Sequence, residues 1–190
     1  MRRAGHHRLP AGAVPSPPSA AVIALNRMAF GPRPGDIAAF NALGGSDATR
    51  MAAFVAQQLD PDSIDDSVAD GRIEAAGYET LDKSLVELWE DHVLPDPEWY
   101  VRMQPFFETE RVTFLRAVYS RRLLFEVMAE FWHTHFSVYA YDFSIGPTWV
   151  YSDRDVIRAN ALGNFRVMLE MVDPARHVEL AAGNQADGRT

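Results

Sequence analysis

Cysteine is absent from the 190 residues, which excludes a disulfide framework, a thiolate metal site and a cysteine nucleophile. Lysine is nearly absent: Lys83 stands alone among 18 basic side chains, a bias that fits a GC-rich genome. Acidic residues number 26 and the net charge is −8, which argues against a general surface for nucleic acid or anionic membrane. No apolar run approaches the roughly 18 residues of a membrane span. Arg2, Arg3 and Arg8 are followed by no apolar core of a secretory signal, since Ala20 to Leu25 is too short. A cytoplasmic protein is the expectation. Gly31 to Gly35 encloses prolines and lacks the lysine of a phosphate-binding loop, and no Gly-x-Ser-x-Gly elbow occurs. Strand alternation and internal repeats are missing too.

What is present reads as an all-α, irregular multi-helix domain with long loops. Hydrophobic residues make up 47% of the chain, enough for one globular core. Residues 1–19, with Pro10, Pro15, Pro17 and Pro18, read as a disordered tail. Helices are predicted over Ala20 to Met28, over Asp36 to Leu43, and from a Ser46 or Asp47 cap to Leu59. Asp60 to Asp70 reads as a solvated acidic loop; its order of residues lacks the glycine and terminal glutamate of a calcium-binding hand. Leu81 to Val93 is amphipathic, with Leu85, Leu88 and His92 on one face. Asp96-Pro97-Glu98 reads as a helix start, capped by Asp96 and ended by Pro105. Glu108 to Tyr119 and Arg121 to Phe136 follow, broken at Ser120. Ser137 to Tyr151 reads as a loop pinned by five aromatics, and Ser152 as the cap of a last helix that bends at Gly163.

The chemistry concentrates in Phe131-Trp132-His133-Thr134-His135-Phe136. On a helix, residues two apart diverge by roughly 160°, so His133 and His135 cannot share an ion there. Helical pitch puts His135 on an apolar arc with Leu124, Val127, Met128 and Phe131. Glu126, Glu130 and His133 fall opposite, where pairing between Arg122 and Glu126 is the expected surface arrangement. Three readings follow. His135 is a core histidine; or Glu130-x-x-His133 supplies metal ligands at the spacing of carboxylate-bridged bundles; or the helix ends near Trp132. In the last case both rings face a loop-lined pocket that draws on Asp142, Asp153 or Asp155. Arg121-Arg122 and the pair Arg154 and Arg158 are candidate anion clamps.

The stretch Ala24 to Asp36 (Ala-Leu-Asn-Arg-Met-Ala-Phe-Gly-Pro-Arg-Pro-Gly-Asp), Phe131 to Phe136, Tyr151 to Arg158 and Ala161 to Arg166 together resemble a bacterial family known as "domain of unknown function 1800". The resemblance implies a largely helical protein without an established activity. It also implies that Asn26, Arg27, His133, His135, Asp153, Arg154 and Arg158 are the positions to test. It implies a domain over 20–173 that corresponds to the N-terminal part of a longer helical domain. Residues 174–190 depart from the family pattern. A one-base shift within codons for Arg176 to Glu179 can read Ala-Met-Leu, as the family continues, so a frameshift near residue 175 is expected.

Two functions remain. One is a helical binding or scaffold module with structural histidines, for a protein partner or for the missing part of the domain. The other is a metal-assisted hydrolase using a divalent metal, with His133 and His135 as ligands or base, Asp153 and Asp155 in the shell, and the site completed by the missing C-terminal half of the domain.

Overall fold

Serine caps and glycine or proline stops divide the chain into short helices that no single apolar stripe unites. The computed structural model describes residues 16–143 and 145–172. The expected tails therefore lie outside the described residues, except for 16–19, and so does the expected frameshift near residue 175. Ten α-helices and no strand occur among the described residues, as an all-α domain requires.

The first three helices form one unit. Ser19 caps α1 (Ala20–Met28), and Gly35, at φ 94°, opens α2 (Asp36–Asn41) in a conformation that favours glycine. Ser46 and Thr49 close a capping box on α3 (Asp47–Gln58). Their inner faces bury Ala21, Ala24, Leu25, Phe40 and Phe54, with the two phenylalanine rings edge to face at 5.5 Å. The hydrophobic effect holds this corner, at about 1.5–3 kcal/mol for each large side chain.

The acidic loop is only partly a loop. A 3₁₀ turn (Pro61–Ser63) leads into α4 (Ser67–Ala76), whose weak apolar period holds Gly71 and buries only Ala69. Arg72 lying 3.8 Å over the Tyr119 ring helps to hold it. Asp66 is buried, and its carboxylate accepts from Ser120 Oγ at 2.7 Å and Arg121 N at 2.6 Å. An acid expected in solvent thus fastens the break between the two longest helices.

α5 (Leu85–His92) has the Ser84–Glu87 capping box. The start expected at Asp96 is corrected: Asp96 sits at φ 48°, and α6 (Trp99–Arg102) begins only after Glu98. Pro105 falls in the first turn of α7 (Gln104–Tyr119), where a missing N–H costs nothing. α8 (Leu123–Phe136) keeps its helix through both histidines and ends at Ser137, at φ 50°.

After α8 the loop is anchored less by its tyrosines than expected. Tyr141 packs on Phe106 at 4.6 Å, but Tyr139 stays 71% exposed. Gly146, Pro147 and Thr148 go deepest, as a buried 3₁₀ turn. A side chain at Gly146 would collide with buried Met103. The helix then runs on without a cap through α9 (Trp149–Tyr151) and a π-helical segment (Ser152–Arg158). Ser152 is therefore no cap; its hydroxyl faces back to the Thr148 carbonyl at 3.5 Å. A separate α10 (Phe165–Met171) restarts under Asn164, so the expected bend at Gly163 is a full break.

Candidate functional site

The site grows from the π-helical segment and the face of α8 that packs on it. Residues five apart on an α-helix point about 140° away from each other. Winding with i→i+5 bonds brings them into line. Asp153 and Arg158 are five apart, and Arg158 Nε donates to Asp153 Oδ2 at 2.9 Å. The same guanidinium forks onto Glu126 of α8, with Nη1 to Oε1 at 3.1 Å and Nη2 to Oε2 at 2.8 Å. His133 lies two turns beyond Glu126, and its Nε2 is 2.8 Å from Asp153 Oδ1.

All four groups are withdrawn from water, with side-chain exposures of 6% for Asp153 and Glu126, 10% for Arg158 and 17% for His133. Burial opposes the charge on Asp153. Arg158, the hydrogen bond from His133 and the more distant Arg116 outweigh it and hold the carboxyl at about 2, from an ordinary 3.8. An ionised carboxylate only accepts, so His133 donates through Nε2. Burial likewise pulls Arg158 down, and the carboxylates of Asp153 and Glu126 push it above its usual range. Trp149 flanks the histidine, ring to ring at 5.2 Å.

The expected faces of α8 hold only in part: Leu124, Val127 and Met128 are half-buried and Glu130 is exposed, but the ends of both arcs depart from the pattern. The arc taken as apolar carries Phe131, 49% exposed, and an exposed His135. The arc taken as surface carries buried Glu126, which pairs with Arg158 and not with Arg122. His135 is not a core histidine: its ring stacks on Phe131 at 5.7 Å on the outside of the helix. The core histidine is His92, whose Nδ1 meets the Val101 carbonyl at 2.7 Å and whose Nε2 meets Lys83 Nζ at 3.1 Å.

The remaining candidates scatter. Glu130 is exposed beside His133, and Asp142 is exposed in the loop after α8. Asp155 is taken up by Arg154, which adds bonds to the carbonyls of Leu81 at 2.6 Å and Lys83 at 3.2 Å. Arg154 is a strut between the π-helical segment and the turn before α5. Asn26 and Arg27 are exposed on α1, outside the cluster. Among the described residues no three His, Asp or Glu side chains gather to hold a metal ion.

Sequence reasoning missed Glu126 and Arg116. The first was placed on the wrong face, and the second carries no motif. The one signal available was the spacing of Asp153 and Arg158, which has meaning only once the π winding is known.

Two openings flank the ion pair. Asp153 lines a polar cleft of 540 Å³ between α4, α7 and the π-helical segment. Its wall includes Arg116, whose Nη1 lies 3.7 Å from Asp153 Oδ2 and which makes no hydrogen bond among the described residues. Burial and the like charge of Arg158 both work against the Arg116 charge. Asp70 and Glu74, one turn apart on α4, line the same cleft. His133 instead lines an apolar groove against α7.

Residues 23–177 match the model of a family described as "Protein of unknown function (DUF1800)". No curated protein and no solved structure matches the chain.

Proposed function

The chain belongs to the DUF1800 family of unknown function, and we propose that it is a helical ligand-binding module. Its buried ion network is scaffold, and its polar cleft is the ligand site. The observation that carries this reading is the contrast between its arginines. Arg158 and Arg154 spend their donors on carboxylates and carbonyls of the chain itself. Arg116 has one long ion pair, is 28% exposed, and offers its remaining donors to the cleft. A planar guanidinium with free donors suits a carboxylate. Asp70 and Glu74 on the facing helix suit an ammonium group. The volume of 540 Å³ lies within the range of small-molecule sites. The favoured ligand is therefore a small zwitterion of the α-amino-acid type.

His133 and Asp153 serve this site as support: they fix the π-helical segment against α8 and leave Arg116 the less satisfied cation. Of the residues named for the hydrolase reading only His133 and Asp153 meet, at 2.8 Å, and no further observation favours that reading. The test is a thermal-shift screen of the chain against the free amino acids, because a ligand bound only by the native state raises its melting temperature. An amino acid that raises it, with the rise lost in Arg116→Gln and in Asp70→Asn/Glu74→Gln, is the expected result. A flat response across the whole set would discard the proposal.

A further inference from the structure

The apolar groove that His133 lines has a composition the network does not explain. Four aromatic rings, Phe30, Phe106, Phe114 and Trp149, enclose 490 Å³ together with Glu110 and Glu130. Neither Lys nor Arg lines it. Both glutamates are exposed, and neither has a hydrogen bond or ion pair among the described residues. Phe30 is 55% exposed and Phe114 67% exposed, so two large rings are held in water at its mouth. Arg33, which lines the adjoining hollow, is committed to Asp36 at 3.1 Å and to the carbonyls of Val118 and Ser120. Its charge is thus already compensated.

From these features we infer that the groove is a second site, independent of the polar cleft, for a small free organic cation bearing a methylated ammonium group. Two physical arguments converge. The faces of aromatic rings are negative, and an alkylated ammonium gains from several such faces while losing little hydration. Flanking carboxylates supply the balancing charge without forming part of the apolar wall. A neutral apolar ligand would be served by the rings but would gain nothing from Glu110 and Glu130. A metal ion would be served by neither the rings nor a pair of acids alone. The volume suits a small molecule rather than a helix.

The comparison that decides is choline against its carbon isostere 3,3-dimethylbutanol, titrated into the whole chain and followed by calorimetry and by proton–nitrogen NMR shifts. Choline is expected to bind with shifts at Trp149 and Phe114, and the isostere about tenfold or more weakly. Glu110→Gln/Glu130→Gln, two exposed positions whose change leaves the core untouched, is expected to erase the preference. Phe114→Ala is expected to weaken choline while the isostere changes less. Equal binding of the two ligands would reduce the groove to a plain apolar surface and overturn the inference, as would no binding of either. Capture of the chain by phosphatidylcholine vesicles, without binding of free choline, would overturn the assignment to a free ligand.

Discussion

Arg158 grips Glu126 through two parallel hydrogen bonds, at 3.1 and 2.8 Å, across the contact between the π-helical segment and α8. Its third nitrogen holds Asp153, so one guanidinium serves two buried carboxylates.

Removing that cation should be the most damaging single change in the site. Arg158→Met leaves Asp153 and Glu126 buried without their partner, and a loss of about 3–5 kcal/mol is expected in urea unfolding. Arg158→Lys should recover only part of it, since an ammonium cannot fork. Adding Glu126→Gln and Asp153→Asn to Arg158→Met should recover most of the loss, because the penalty comes from uncompensated charge. Equal losses in the single and triple variants would refute the account.

The two histidines should separate cleanly. His133→Ala takes a donor from a buried carboxylate and is expected to cost about 1–3 kcal/mol. His135→Ala touches an exposed ring and should stay within about 0.5 kcal/mol of the parent. Chemical denaturation of both proteins at pH 7 checks this, and a larger loss at His135 would contradict its place on the outside of α8.

Acid should reveal Asp153. Its carboxyl is held at about 2 in the fold against an ordinary 3.8. The group thus contributes stability that is complete above pH 4 and disappears as pH falls toward 2, an amount of roughly 2 kcal/mol by linkage. Unfolding free energies measured from pH 5 to pH 2 should converge between the parent and Asp153→Asn. Parallel profiles would show that Asp153 does not titrate as described.

A second pH effect sits at His92, closer to neutrality. Burial is the main cause of its lowered pKa, helped by the Lys83 charge beside it. A histidine that is neutral in the fold stabilises fully above its unfolded value of 6.5 and loses that contribution as pH falls below it. Melting temperatures should drop from pH 7.5 to pH 5.5 in the parent and drop less in His92→Gln, which cannot titrate. No difference in slope would remove His92 as the sensor.

Much of the architecture was legible because it is local. The Ser46 cap, the stop after Met28 and the break at Ser120 each depend on a few neighbouring residues and their backbone preferences. α4 was not legible, since its pattern buries one alanine and its anchors, Tyr119 and the Ser120–Arg121 corner, lie far along the chain. The separate start of α10 depends on Asn164, which accepts from Arg166 N at 2.9 Å, a cap hidden inside an apparently continuous pattern.

The site divides the same way. Composition and spacing alone determined an all-helical chain without thiol chemistry, and the divergence of His133 from His135 on one helix, because helical pitch is a property of the backbone. Which face of α8 turns inward was a tertiary decision. Apolar pattern pointed to the arc of Phe131 and His135. A buried carboxylate can nonetheless face the core when an arginine from another segment reaches it, and that partner came from a winding no single-sequence period displays. The pairing of Asp153 with His133 across 20 residues, and the free donors of Arg116 in the cleft beside them, exist only once α7, α8 and the π-helical segment are packed. Charge compensation between distant residues is a property of the assembled fold, and the chain read in order cannot display it.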